Sequence, residues 1–304
     1  MSLLNDILRA AVEAKASDIH INVGLPPLFR IHTVVQASHF PIMTQEGAMR
    51  LLREMLTEEE RVDAFLKYKD SDFSYEIPGV SRFRVNAHMA RGTVGMAFRT
   101  IDDRIRPLED LFMPDIVGKL TYLPRGLILV TGATGSGKST TLAGMIDMIN
   151  KREQGHIITL EDPVEYTFTS NKCAIEQREI GADVTTFSSG LRHALRQDPD
   201  VILVGEMRDL ETTSAAITAA ETGHLVLSTL HTVNASQTVE RIIDMYPAGQ
   251  QAQIRAMLAN TLEAVVSQTL FSRADRPGMV PAVEVLLCTP AVRNLIRENR
   301  TFEI

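Results

Sequence analysis

Apolar residues recur at helical spacing from the start of the chain: Leu3, Leu4, Ile7, Leu8, Ala11 and Val12 share one face of a helix over 3–14. After Ser17-Asp18 the period shortens to two, and Ile19, Ile21 and Val23 alternate with polar neighbours as in a half-buried strand. Pro26-Pro27 interrupts that strand, and Leu28-Phe29-Arg30-Ile31 begins another. Residues 44–68 return to the helical period, with Met49, Leu52, Met55 and Leu56 on one face. Alternation resumes in Phe73/Tyr75, Phe83/Val85 and Met96/Phe98. This mixture predicts a small α+β domain over 1–101. Residues 102–124 are charged and punctuated by Pro107, Pro114 and Pro124, which predicts an interdomain linker.

Beyond the linker the pattern changes to short apolar runs separated by helical segments: Leu127–Val130, Ile157–Leu160, Val201–Val204 and Leu225–Leu227. Runs apolar at successive positions suit strands buried on both faces, as in a parallel sheet covered by helices. Residues 125–304 therefore read as an α/β domain. With 304 residues, 44% of them hydrophobic, the chain has material for two cores.

The formal net charge of −7 argues against a protein that lives by neutralising a nucleic-acid backbone, so no nucleic acid is expected as partner. No apolar run approaches the roughly 20 residues of a membrane span. The opening MSLLNDILRAAVEAKASD has early acids and lacks the basic start of a signal peptide, which predicts a cytoplasmic protein. Cys173 and Cys288 are too far apart for a CxxC zinc pair and read as two small buried hydrophobes.

Between the strand at 127–130 and a helix beginning near Lys138 stands Gly132-Ala133-Thr134-Gly135-Ser136-Gly137-Lys138-Ser139, followed by Thr140, a complete GxxxxGK[ST] match. Its glycines let backbone N–H groups turn around phosphate oxygens, Lys138 adds a charge toward the β and γ phosphates, and Ser139 offers a hydroxyl to magnesium. Leu142, Met145, Ile146 and Ile149 supply the apolar face of the following helix. ATP and Mg2+ are the implied ligands. Acids near the terminal phosphate are expected where neighbouring strands end. Glu161 follows the strand at 157–160, and Glu206 follows Val204-Gly205. Glycine at 205 leaves the metal few direct protein contacts, so Glu206 is the better candidate for orienting water and Glu161 acts through the metal's water shell. Ser139, Glu161 and Glu206 form the candidate metal set. His224 and His231 flank the strand at 225–227, and their spacing excludes an HExxH-type metal pair; by itself it suggests hydrogen-bonding residues.

GATGSGKST at 132–140, ITLEDPVEY at 158–166, ALRQDPDVILVGEMRD at 194–209 and TAAETGHLVLSTLHT at 218–232 resemble the Walker A, Asp box, Walker B and His box of the secretion ATPases. KASDIHINVGLPPLFRI at 15–31 and SDFSYEIPGVSRFRVNAHMARG at 71–92 look like the PAS-like N-terminal domain of the twitching-motility, pilus-retraction branch. Ala291–Glu298, AVRNLIRE, is close to that branch's retraction motif. The resemblance implies a PAS-like α+β domain before a RecA-like P-loop NTPase domain, assembled as a homo-hexamer. It implies pilus retraction powered by ATP on the cytoplasmic face of the inner membrane, with membrane association only through an inner-membrane pilus platform protein. It makes Glu206 the catalytic glutamate and Glu161 the Asp-box acid, brings His224 and His231 into the site, either sensing the γ-phosphate or linking it to a subunit interface, and aligns Arg84 and Arg99 with arginine fingers.

Ala133 stands where relatives commonly have proline, HTVNAS departs from the usual residues after His231, and relatives continue beyond Ile304, so a C-terminally shortened ATPase domain is expected. Pilus-extension and type II secretion ATPases share this chemistry but usually carry a further N-terminal domain and a four-cysteine insert. A RecA-like DNA translocase and a non-hydrolysing nucleotide-binding scaffold are the remaining alternatives. Val292, Leu295 and Ile296 give the last motif an apolar strip, and Arg293 and Arg297 at i,i+4 call for acids on an adjoining surface.

Overall fold

In the computed structural model, which describes residues 2–101, 104–276 and 278–304, the chain divides into Met1–Asp103 and Arg104–Ile304. The first unit contains α1 (Leu3–Glu13), β1 (Asp18–Asn22), β2 (Leu28–Ile31), β3 (Val34–Ala37), α2 (Gln45–Met55), α3 (Glu59–Tyr68), β4 (Asp70–Ile77), β5 (Ser81–Ala90) and β6 (Thr93–Ile101). Ser2 caps α1 by accepting from Asn5 N–H, and Thr44 caps α2 by accepting from Gly47 N–H. Among the described residues the strands form one antiparallel sheet in the order β3-β2-β1-β6-β5-β4. Period-two alternation sends Ile19, Ile21, Phe83, Val85, Met96 and Phe98 into the core beneath the helices, leaving a polar outer face. On that face Arg84 and Arg99 are cross-strand partners. The strand β3, absent from the sequence reading, is exposed at every position, so it lacks the alternation that marks the others.

The second unit contains α4 (Asp115–Leu120), β7 (Gly126–Thr131), α5 (Lys138–Arg152), β8 (His156–Glu161), β9 (Ala174–Glu179), α6 (Phe187–Ala194), β10 (Val201–Val204), α7 (Leu210–Glu221), β11 (Leu225–Leu230), α8 (Ala235–Asp244), α9 (Gln251–Thr261), β12 (Leu262–Ser272), β13 (Met279–Leu287) and α10 (Pro290–Arg297). Its sheet runs β13-β12-β7-β11-β10-β8-β9, with only β13 antiparallel to its neighbour among the described strands. Every residue of β7, β10 and β11 is buried, as expected for strands covered on both faces. Two apolar layers cover the sheet: α5 and α4 pack on one face, α6 to α9 on the other.

Two expectations are corrected here. Residues 104–124 are not a free linker, because Leu108, Met113, Val117 and Leu120 are buried in the layer that contains α5. Prolines punctuate this segment, but its apolar positions lack the regular spacing that would have marked it as core; Asp102 and Asp103 lie outside the described residues. The expectation of acids for both Arg293 and Arg297 holds only for Arg293, on an adjoining surface of the same chain; Arg297 meets an amide instead. Arg293 donates to Ala259 O and Glu263 Oε2, both at 2.8 Å, and Arg297 donates to Asn260 Oδ1 at 2.8 Å, all on the α9–β12 corner of the same chain.

Truncating Leu108 to Ala is expected to cost about 2–5 kcal/mol of stability in denaturant unfolding, the range for a buried leucine. A true linker residue would change it by less than about 0.5 kcal/mol.

Candidate active site

Parallel pairing puts the C-terminal ends of β7, β8, β10 and β11 on one edge: Thr131 stands beside Leu230, and Val204 beside both Leu160 and Ser228. The segments that leave these strands therefore converge, which is where an open α/β sheet binds ligands.

The first is the Gly132–Gly137 loop. Gly132 has φ 142°, and a side chain there would collide with Gln268 O and Ser136 Oγ. Gly137, at φ 86°, precedes α5 in the left-handed region, where a Cβ would be strained. No side chain caps α5, so the N–H groups of its first turn are available to an anion. Lys138 is buried, and its ammonium donates back to Gly132 O at 2.9 Å and Ala133 O at 3.0 Å. Burial holds its pKa below the usual lysine value, partly offset by the Glu165 carboxylate. Ser136 Oγ is buried with no hydrogen-bond partner among the described residues. Ser139 is exposed on the first turn of α5. Thr140, counted with the loop in the sequence, shares a 2.8 Å hydrogen bond with Tyr166 OH, so its side chain tethers the β8–β9 connection.

Two carboxylates stand at the adjoining strand ends. Glu161 is buried; its Oε1 accepts from Thr159 Oγ1 at 2.6 Å and Gln177 Nε2 at 3.1 Å. Burial pushes its pKa up, and the two hydrogen bonds restrain that rise. Glu206, also buried, takes His231 Nε2 on Oε2 at 3.2 Å and the Arg208 guanidinium on Oε1. Burial and the charges of Lys138 and Arg208 lower the His231 pKa, favouring a neutral ring. A neutral ring facing a carboxylate with Nε2 carries its proton there.

His224 is elsewhere. It precedes β11 while His231 follows it, its carbonyl accepts from Gly126 N at the start of β7, and its Nδ1 lies 2.9 Å from Ala219 O. A six-residue strand spans roughly 20 Å, so the expectation that His224 joins the phosphate site of its own chain is corrected. Seven residues of sequence separation could not show this without the strand's limits.

Arg84 and Arg99 belong to the first unit. Arg99 Nε donates to Asp18 Oδ1 at 3.0 Å, whereas Arg84 is exposed and makes no hydrogen bond or ion pair with any described residue. Burial works against ionisation of Asp18, but hydrogen bonds from Ser17 and Arg99 and the charges of Arg99 and Arg30 outweigh it and hold its pKa low.

Three neighbours of the site escaped the sequence reading. Gln177 bridges Glu161 and Tyr166 O, Gln268 reaches the phosphate loop from β12, and Arg241 lines a cavity of about 390 Å³ together with Glu206, Arg208, Thr229 and His231. None carries a local motif. Ser139, Glu161 and Glu206 carry hard oxygen donors of the kind Mg2+ takes together with substrate phosphates and water, although among the described residues no three His, Cys, Asp or Glu side chains gather into a metal site of their own.

The family described as type II/IV secretion system protein matches residues 1–283. The chain is 45% identical over 301 residues to the type IV pilus retraction ATPase PilT of Pseudomonas aeruginosa, covering 99% of this chain and 87% of that protein. It is 47% identical over 278 residues to a twitching motility protein of Neisseria gonorrhoeae, covering 91% and 74%. A crystal structure of the pilus retraction motor PilT with bound ADP superposes with a TM-score of 0.94 at 44% identity, covering all of this chain and 88% of that one.

Because the folded-state pKa of Glu161 is raised, its contribution to stability is present below the ordinary carboxylate range and lost as pH rises through the folded value. Glu161→Gln retains the Oε1 acceptor without the charge. Thermal melting without nucleotide is expected to show the variant more stable than wild type at pH 7.5, with the difference shrinking toward pH 4; a constant difference would contradict the assignment.

Proposed function

The chain belongs to the type II/IV secretion system protein family, and from that premise we propose that it is a magnesium-dependent ATPase working as a homo-hexameric motor for type IV pilus retraction and twitching motility. The observation that carries the reading is the meeting of the phosphate loop, Glu206 and His231 at one sheet edge, in a chain similar over nearly its whole length to a retraction ATPase.

When ATP enters, Lys138 exchanges two neutral carbonyl partners for anionic phosphate oxygens, so that its charge-assisted hydrogen bonds gain an ionised acceptor as well as an ionised donor. The uncapped N–H groups of α5 meet the same phosphates. Magnesium, held by the phosphates, Ser139 and the water shell of Glu161 and Glu206, would neutralise charge on the transferred phosphoryl group. Glu206 orients the attacking water with one carboxylate oxygen, while the N–H of neutral His231 holds the other. For that, Arg208, exposed beside Glu206, turns away.

The cation Arg84, exposed and without a partner among the described residues, suits a charge supplied in trans to a neighbour's γ-phosphate, an interaction worth about 10³–10⁵ in rate for phosphoryl transfer. Arg99, tethered by Asp18, plays the lesser part. His224, remote from its own phosphate loop, is then left for a contact between subunits. No helix among the described residues is long and apolar enough to cross a membrane, which accords with a cytoplasmic motor that reaches the inner membrane through its platform protein.

Phosphate-release assays and fluorescent-nucleotide binding test these roles. Lys138→Ala is expected to weaken binding as well as turnover. Glu206→Gln should spare binding and lower turnover by about 10²–10⁴-fold; near wild-type turnover would remove Glu206 from the mechanism.

Arg84→Ala is expected to depress turnover more than affinity, and more than Arg99→Ala does. Sedimentation should show hexamers under active conditions. A strictly monomeric species, fully active at every concentration, is incompatible with the proposed ring.

A further inference from the structure

Gln268 lies on β12, 3% exposed, against the phosphate loop. Its Nε2 donates to Ser136 O at 2.6 Å, and its Oε1 accepts from Thr141 Oγ1, on the first turns of α5, at 2.9 Å. Ser136 O can only accept, so it fixes the orientation of the amide: nitrogen toward the loop, oxygen toward the helix. The same residue bounds the loop at both ends. Its carbonyl oxygen occupies the space a side chain at Gly132 would need, and Nε2 would stand 3.1 Å from a Cβ at Gly137.

The direction of the Ser136 carbonyl matters because the peptide is planar and trans, so the Gly137 N–H points opposite to Ser136 O. With the carbonyl drawn to Gln268, that N–H is turned away from β12. If the carbonyl swung free, the N–H would turn with it and the anion cradle would lose a donor.

We propose that Gln268 is a positioning residue that sets the phosphate loop for nucleotide, and that it does so because its amide donates at one end and accepts at the other. The inference rests on the nucleotide-binding reading above and adds to it a residue outside the recognised motifs.

The substitutions separate the two ends of the amide. Gln268→Met keeps the volume and deletes both hydrogen bonds, leaving Ser136 O buried without its donor. Gln268→Glu, when ionised, still accepts from Thr141 but turns an anionic oxygen toward the Ser136 carbonyl; when protonated, it can donate to that carbonyl. Ser267→Ala is the structural comparison, since it removes the adjacent buried 2.8 Å hydrogen bond to Thr131 Oγ1 without touching the loop.

Full-length proteins would be compared by ADP titration, ATP turnover and circular dichroism. Gln268→Met is expected to bind ADP about tenfold more weakly, as for a buried acceptor left unpaired, with Ser267→Ala near wild type. The turnover of Gln268→Glu divided by that of wild type should rise as pH falls from 8 to 6, since burial raises a carboxyl pKa. Normal ADP affinity in folded Gln268→Met would overturn the inference. So would a Gln268→Glu ratio independent of pH, which also decides the matter if Gln268→Met fails to fold. Wild-type protein that binds ADP without hydrolysing ATP would instead overturn the ATPase reading, leaving the affinity comparison to judge Gln268.

Discussion

Burial of a parallel sheet on both faces is the constraint from which the site follows. Strands such as β7, β10 and β11 expose nothing, so each must enter and leave through the sheet's edges. Parallel direction then delivers the C-terminal ends of β7, β8, β10 and β11 to the same edge. The phosphate loop, the Glu161 segment, Gly205-Glu206 and His231 meet there although they span a hundred residues of chain. Gly205 shows how close the packing is: its N–H donates to Leu160 O at 2.8 Å, and a Cβ at 205 would lie only 3.2 Å from that same oxygen.

The electrostatics at this edge oppose the charges placed there. Burial lowers the Lys138 pKa and raises that of Glu161, and among the described residues the lysine's ammonium has only neutral carbonyls as hydrogen-bond partners. A polyanionic phosphate with its cation would answer both: it would supply the lysine with charged acceptors and the carboxylates with positive charge. His231, neutral and donating to Glu206, adds no further positive charge beside Lys138 and Arg208.

The strand β12 connects this edge to the end of the chain. It carries Gln268 beside the phosphate loop and, five positions earlier, Glu263, which takes Arg293 of α10 at 2.8 Å. The helix that resembles a retraction motif is thus anchored to the strand that supports the phosphate loop. Cys288, at the turn into α10, is buried, and burial pushes its pKa up to about 12, so the thiol packs there as a neutral apolar group.

What the sequence determined by itself is what short-range chemistry controls. Glycine at 132 and 137 follows from backbone dihedrals, α5 from Leu142, Met145, Ile146 and Ile149 at helical spacing, and the strands from apolar runs or alternation. Loop, Lys138 and Ser139 could be named because they are neighbours in the chain, and Glu161 and Glu206 because strand ends were legible. The tertiary structure decided the rest. It put His231 on Glu206, sent His224 to the opposite edge, packed 104–124 into the core, gave Arg293 and Arg297 partners within the chain, and brought Gln268 to a loop 132 residues away in sequence. Each depends on strand order and register, and these are fixed only when distant segments bury one another's apolar faces, an interaction without a local trace in the residues it brings together.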